Sequence, residues 1–366
     1  MISNNHTLDA VKGLAGAAPD DMHDRPEQWP LLAARLEECS KTLMPVYDRA
    51  GRAALRHQRQ HQWLTKVAAA AGTIAVVVVI LGLAVHQVWP TGEEKPVWLK
   101  GESLDFIEAF AVLAALLAVA LGLLASHLDR WLIERHKAER CRLLKFAFLI
   151  DPVVWGDDPQ KAADRLRRLR EGAAALDAAR AVEESQQWLA QIHRPAFLTE
   201  MWTYRGDRQL LQQLVAYYRA TRLHAQIAYF GDRIARFKVR DHLTRVLPQW
   251  LFFASVIGAF VHFVLVLAKW ERPLVWGVSA ALLAALVAAL LPVLGAGIRT
   301  YRLANEFGRN IKRFESTRHV LAEMNLWLEE GADARTVFLT LWGCEHTLEL
   351  EHREWLRLMA DTEWFG

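Results

Sequence analysis

Four long apolar runs, at 67–88, 106–128, 246–268 and 274–298, constrain this chain more than any other feature. Each is long enough to cross a hydrocarbon core of roughly 30 Å at 1.5 Å rise per residue. They form two close pairs separated by a long polar stretch, which predicts two helical membrane hairpins. Glu108, in the first turns of the second run, is the one charged residue inside them. A buried soluble helix explains a single run of this kind, but soluble cores rarely repeat such lengths four times.

The flanking charges predict which way the hairpins face. Arg49, Arg52, Arg56, Arg59 and Lys66 precede the first run, and Arg130, Arg135, Lys137, Arg140, Arg142 and Lys145 follow the second. The loop between them holds only Lys95 and Lys100 against four acids. The second hairpin repeats the bias, with Arg233, Arg236, Lys238, Arg240 and Arg245 before it and Arg299, Arg302 and Arg309 after it. By the positive-inside rule both termini and the middle region are cytoplasmic. Trp89, Trp98, Trp250, Trp270 and Trp276 fall near run ends, where amphipathic rings favour the interface.

Whole-chain composition hides this layout, because a net charge of +3 with 23% charged residues resembles an ordinary soluble protein. Divided by region, residues 129–247 carry 22 basic and 15 acidic side chains, about +7, whereas 299–366 carry 9 and 12, about −3. A basic middle region suits anionic lipid, and it also suits a nucleotide-type ligand.

The fold class expected is an all-α integral membrane protein, its four transmembrane helices extended by long cytoplasmic helices. The divisions are a mobile N-terminus at 1–30, cytoplasmic helices at 31–66, hairpin 67–128, a cytoplasmic helical region at 129–245, hairpin 246–298 and C-terminal helices at 299–366. Pro45 is expected to interrupt the first cytoplasmic helix, and the second run to continue unbroken through 129–140 until Asp151-Pro152 stops it. No stretch shows convincing strand alternation. Residues 1–30 lack the apolar segment of a signal peptide. Cys39, Cys141 and Cys344 are expected to be reduced thiols.

Tyr47, Gln58 and Trp63 ahead of a two-helix hairpin, with the returning segment from Trp131 through Glu134, Arg135, Glu139, Arg140 and Arg142 to Phe146, resemble the SLATT superfamily of two-helix membrane effectors. The second half is similar in plan, with Tyr217, Tyr218, Arg219, Arg222, Tyr229 and Phe230, the second hairpin, and Arg299 to Arg302. The chain thus resembles two such units in tandem. The resemblance implies an anti-phage defence effector in the bacterial inner membrane, an oligomeric gated pore or ion channel. It further implies control by an oligonucleotide-type signal from a partner nucleotidyltransferase, leading to depolarisation and growth arrest. A non-conducting membrane scaffold that docks a cytoplasmic enzyme is the alternative.

Small residues recur every four positions at Ala114, Ala118, Gly122 and Ser126, and again at Gly277, Ala281, Ala285 and Ala289. Such seams permit close helix approach, within one bundle or between subunits of a homo-oligomer. The polar groups available to line a conducting path are Glu108, His262, Ser255 and Thr73. Pro292 with Gly295 and Gly297 forms a candidate hinge, ending the helix being the other reading. Arg219, Arg222, Arg233 and Arg236 with Tyr217, Tyr218 and Tyr229 are candidates for binding phosphates and stacked bases, against the plainer reading of a packed bundle.

No P-loop, nucleophile elbow or glycine-rich dinucleotide turn is present. Cys344, Glu345, His346, Glu349 and His352 lack the two-histidine helical spacing of a metal site. Neither an enzyme nor a cofactor or metal is expected.

Overall fold

The computed structural model describes residues 21–88, 101–124, 126–181, 207–270, 273–275, 278–328 and 333–360. It is almost entirely helical: α1 (Ala33–Val88), α2 (Gly101–Leu124), α3 (His127–Leu149), α4 (Pro159–Ala178), α5 (Arg208–Tyr218), α6 (His224–Leu267), α7 (Ala280–Asn305), α8 (Phe307–Trp327) and α9 (Ala334–Ala360). Among the described residues, three helices are long and apolar enough to cross a membrane, and four if the broken pair α2 and α3 is counted as one span. Trp89, Trp98, Trp276 and Gly277 lie outside the described residues.

Several boundaries differ from the sequence expectation. Helix α1 runs through Pro45 without a break. A proline there removes one backbone hydrogen bond, but a buried stripe of Leu36, Cys39, Leu43, Val46, Tyr47 and Ala50 holds the helix on both sides of it. The second run does not continue into 129–140: α2 ends at Leu124, Ser126 takes the left-handed conformation at φ 46°, and α3 restarts at His127. An apolar count passes over such a turn, because one exposed serine carries no periodicity. In the fourth run, Pro273–Val275 (β1) and Val278–Ser279 (β2) form a short antiparallel pair, so the helix begins only at Ala280, with the Ser279 hydroxyl accepting from the Leu282 amide at 3.2 Å. Helix α7 then continues past 298 to Asn305, and Glu306 at φ 41° closes it.

The described chain divides into two compact units. Unit 1 comprises the described residues of 21–57, 128–236 and 309–360, and unit 2 those of 58–127 and 237–308. In unit 1, α3 is central, with 14 of its 23 residues buried, including Arg140, Arg142 and Lys145. Burial all round a helix marks the middle of a bundle. Asp151 and Asp158 cap the turn and helix that follow α3 by accepting backbone N–H bonds. Arg49 to Asp177 at 2.7 Å and Arg170 to Glu38 at 3.1 Å join α4 to α1 on the surface. Residues 21–32 are not the loose end expected of 1–30. They form a strap with one 3-10 turn, Pro26–Gln28, and Asp21 and Met22 are buried.

Unit 2 presents apolar side chains outward. Phe252, Phe253, Ile257, Phe260, Phe263 and Leu267 of α6 are exposed, as are Phe106, Phe110, Leu113 and Leu116 of α2. Within the apolar spans its buried positions are mostly small, among them Ala71 and Ala75 on α1 and Ala111 and Ala118 on α2. That inverts the order of a soluble domain and suits a lipid surround.

Candidate functional site

The densest chemistry lies inside unit 1, where the strap meets α1, α3, α5 and α9. Asp21 places one carboxylate oxygen 2.9 Å from Arg142 Nε and accepts from Arg222 NH1 with the other. Lys145 Nζ donates to the Asp21 carbonyl and reaches Asp24 at 2.9 Å. Tyr217 donates its hydroxyl to Asp24 at 2.7 Å. Around this core sit the aromatic rings of Tyr47, Phe146 and Tyr217, against which Arg142, Arg222 and Lys145 lie at 4.7–5.8 Å from the ring centroids.

The cations are oriented by framework groups as well as by the strap. Arg142 donates to Glu139 at 2.7 Å and to the Tyr47 hydroxyl at 2.6 Å. Arg222 grips Glu345 with two parallel bonds at 3.0 Å, and Tyr218 donates to the same carboxylate at 2.7 Å. A π turn over Arg219–Leu223 separates α5 from α6. Single π turns inside helices cluster at functional sites. This one carries Arg222 at the centre of the hub.

Charge in the hub is balanced by mutual pairing. Burial works to lower the Arg222 guanidinium, but Glu345 and Asp21 outweigh it and hold the group above its ordinary value. Burial works to raise Glu139, but Arg142 and Arg135 hold it well below the usual carboxylate range. For Tyr218, burial and then the neighbouring Glu345 both raise the phenol. All three stay in their ordinary ionisation states near neutrality.

Of the ligand candidates read from the sequence, Tyr217, Tyr218 and Arg222 therefore meet in one place. The others do not join them: Arg219 donates to Asn325 at 2.9 Å, Arg233 lies over the Tyr229 ring, and Arg236 is exposed and donates to the Asp232 carbonyl. Sequence reading missed Asp21 and Asp24, and it placed the others elsewhere: Glu345 among residues weighed as metal ligands, Glu139 and Arg142 in the segment returning from the first hairpin, and Arg142 and Lys145 in the flanking positive charge. The available signal was α3 itself, where charges fall among apolar residues on every face.

In unit 2, α6 and α7 pack antiparallel in a constant register. Asp241 meets Arg302, Gly295 sits against Pro248, Ser255 donates to the Ala288 carbonyl at 2.8 Å, and His262 Nδ1 bonds the Ala281 carbonyl at 2.8 Å. Each pair lies seven residues on from the last along both helices, the spacing of coiled-coil packing. Between them, a Cβ on Gly258 would come within 3.2 Å of the Ala284 carbonyl. The seam thus uses Ala281, Ala284 and Ala288, whereas Ala289 is exposed. On α2, Ala118 is buried, Ala114 and Gly122 are half-buried, and Ser126 lies beyond the helix, exposed.

Pro292 explains the serine. The carbonyl of Ala288 would accept from the amide four residues on, but that residue is proline and has no N–H. An unpaired carbonyl in hydrocarbon is costly, and neighbouring hydroxyls commonly satisfy it. Ser255 does so here, and with His262 it is committed to the helix pair. Helix α7 passes through Pro292 without ending; a Cβ on Gly295 would make ordinary contact with Pro248 at 3.7 Å, and one on Gly297 would meet nothing within 4 Å. Glu108 and Thr73 are half-buried.

On α9 the residues once weighed as metal ligands are divided among other partners. Glu345 holds Arg222, Glu349 accepts from Arg140 at 3.0 Å and Arg353 at 2.6 Å, His346 stacks on Trp342, and His352 Nε2 lies 3.0 Å from His136 Nδ1. No group of three metal-binding side chains occurs among the described residues. Compared with known proteins, the chain matches no family model, no curated sequence and no solved structure.

Proposed function

We propose that this chain is a multi-pass membrane effector whose unit 2 lies in the bacterial inner membrane with both termini cytoplasmic. Unit 1 senses a phosphate-bearing signal, and several subunits together form a gated ion path. The observation that carries the reading is the contrast within one chain: apolar side chains face outward along the second half of α6, from Leu247 to Leu267, while unit 1 gathers Arg142, Lys145 and Arg222 with aromatic rings. The SLATT resemblance adds the setting, anti-phage defence with an oligonucleotide signal from a partner nucleotidyltransferase. One antiparallel helix pair encloses no aqueous path, so conduction requires assembly.

A second reading, the non-conducting scaffold, is favoured by the commitment of Ser255 and His262 to carbonyls, which withdraws two polar groups from any lining. Ion flux from liposomes holding the purified protein separates the two. Flux that appears on adding short oligonucleotides supports the effector. No flux under any condition, with stable capture of a nucleotidyltransferase, sinks it.

A further inference from the structure

We propose that the strap at 21–32 is an internal stand-in for a phosphate monoester ligand, occupying a preformed dianion site built by Arg142, Lys145, Arg222 and Tyr217. The inference rests on the reading of unit 1 as a sensor of phosphate-bearing signals. It adds the site, its resident competitor and the charge of what displaces it.

Charge supplies the first argument. The hub holds four cations, Arg135, Arg142, Lys145 and Arg222, and four carboxylates, Asp21, Asp24, Glu139 and Glu345. Two of those carboxylates belong to the strap. Without them the site holds an excess of two positive charges, three of its four cations being buried and Arg135 partly exposed, which a dianion would offset.

Geometry supplies the second. Arg142 keeps Glu139 and Tyr47, and Arg222 keeps its paired bonds to Glu345, whether or not the strap is present. Both guanidinium groups are thus held in place by the framework. The donors that the strap occupies, Arg142 Nε, Arg222 NH1, Lys145 Nζ and the Tyr217 hydroxyl, converge on its two carboxylates. Two arginines on Asp21, with a lysine and a hydroxyl on Asp24, together supply the donor types that phosphate recognition uses.

The third argument concerns the strap. Its one regular element is a three-residue turn, and His23, Arg25, Glu27, Gln28 and Pro30 are exposed. Beyond its carboxylates it is held by the Trp29 indole, edge-on to Tyr217 at 5.5 Å between centroids, by the Leu31 amide donating to Gln213 at 2.7 Å, by His23 edge-on to Tyr47 and by the buried Met22 and Leu32. Acid on the cations and an aromatic ring on Tyr217 reproduce the two chemistries of a nucleotide.

The test uses the full chain in nanodiscs of neutral lipid. The probes are adenosine 5′-monophosphate, a short 5′-phosphorylated RNA, the same RNA without the phosphate, and vesicles carrying phosphatidic acid. Calorimetry reads affinity and hydrogen exchange reads protection of 21–32. The phosphorylated soluble probes are expected to bind and to raise exchange across the strap. In D21N/D24N, removal of the internal competitor is expected to tighten binding by about tenfold or more, and K145A in that background to abolish the gain. Phosphatidic acid acting alone would overturn the soluble-ligand assignment. Binding that leaves the strap protected, no gain in a folded D21N/D24N, or no binding by any probe would overturn the proposal. Should D21N/D24N fail to melt cooperatively, W29A, which loosens the strap and leaves every charge in place, is expected to show the same gain, and its absence would count equally against. Strap release without flux would sink the permeabilising role and leave this site standing, whereas flux with the strap still protected would do the reverse.

Discussion

Unit 1 and unit 2 are built from the same element, the α-helix, yet are held together by opposite chemistry. Unit 1 buries full charges: Arg140, Arg142, Lys145 and Arg222 have almost no exposure, and the arginines are each paired with carboxylates. The α6–α7 pair of unit 2 relies on small residues and on side chains that bond the facing helix's carbonyls. The difference follows from what each gains by packing. Where water surrounds the folded unit, apolar burial supplies the drive and can offset the desolvation of a polar centre. Where lipid surrounds it, tails are as apolar as leucine, so helices associate through close approach and interhelical hydrogen bonds.

Breaking the hub gives the largest effect. Arg222→Met leaves Glu345 and Asp21 buried with fewer partners, and loss of one side of a buried ion pair costs about 3–5 kcal/mol. Chemical denaturation followed by hydrogen exchange should show unit 1 opening far earlier, with α7 protection in unit 2 unchanged. Equal loss in both units would erase the contrast. A smaller effect of reversed location is expected for Gly258→Val, whose Cβ would press on the Ala284 carbonyl and on Val287 at 3.2 Å. Overpacking of this kind costs about 1–3 kcal/mol. Exchange should rise along α6 and α7, with the Ser255 bond to Ala288 weakened, while unit 1 holds.

The apolar runs made the helices of unit 2 legible, and the dominance of helix followed from the same patterning. Breaks were not legible, because Ser126 and Glu306 adopt left-handed backbone without glycine to announce it. The register of α6 on α7 was hidden for another reason. Small residues every four positions suggested a seam through Gly277, Ala281, Ala285 and Ala289, whereas packing keeps Ala281 and follows seven-residue steps to Ala288 and Gly295. Pro292 pointed toward Ser255 all along, since a proline in hydrocarbon frees a carbonyl that some hydroxyl must reach. In unit 1, Tyr217, Tyr218 and Arg222 were visible as an aromatic-basic cluster. Their counter-charges were not, because Asp21 and Glu345 lie 201 and 123 residues away in sequence.

The smallest effect concerns pH and tests whether unit 1 tolerates buried charge only in pairs. Burial, aided at His136 by the neighbouring His352 and at both rings by Arg140, lowers His136 to about 2 and His352 to about 3 from 6.5. The folded pair is therefore neutral, one ring donating to the other. Below pH 6.5 the unfolded chain takes up two protons that the folded chain refuses, so stability falls as pH drops, by about 1.4 kcal/mol per pH unit for each histidine. Glu351 opposes this. Burial, against the pull of Arg313, raises it from 4.5 to about 7, so the folded form binds a proton that the unfolded form releases above 4.5. Its contribution is full below 4.5 and is lost as pH rises through 7. Between pH 6.5 and 5 the three groups leave a net loss of about one proton's worth, about 1.4 kcal/mol per pH unit on acidification. Thermal melts of unit 1 across that window should steepen about twofold in Glu351→Gln and flatten in His352→Gln, whose amide can still hydrogen-bond His136. A histidine in the wild-type pair that titrates near 6.5 by NMR would mean that unit 1 accommodates an unpaired cation in its core, and the contrast with unit 2 would narrow to packing alone.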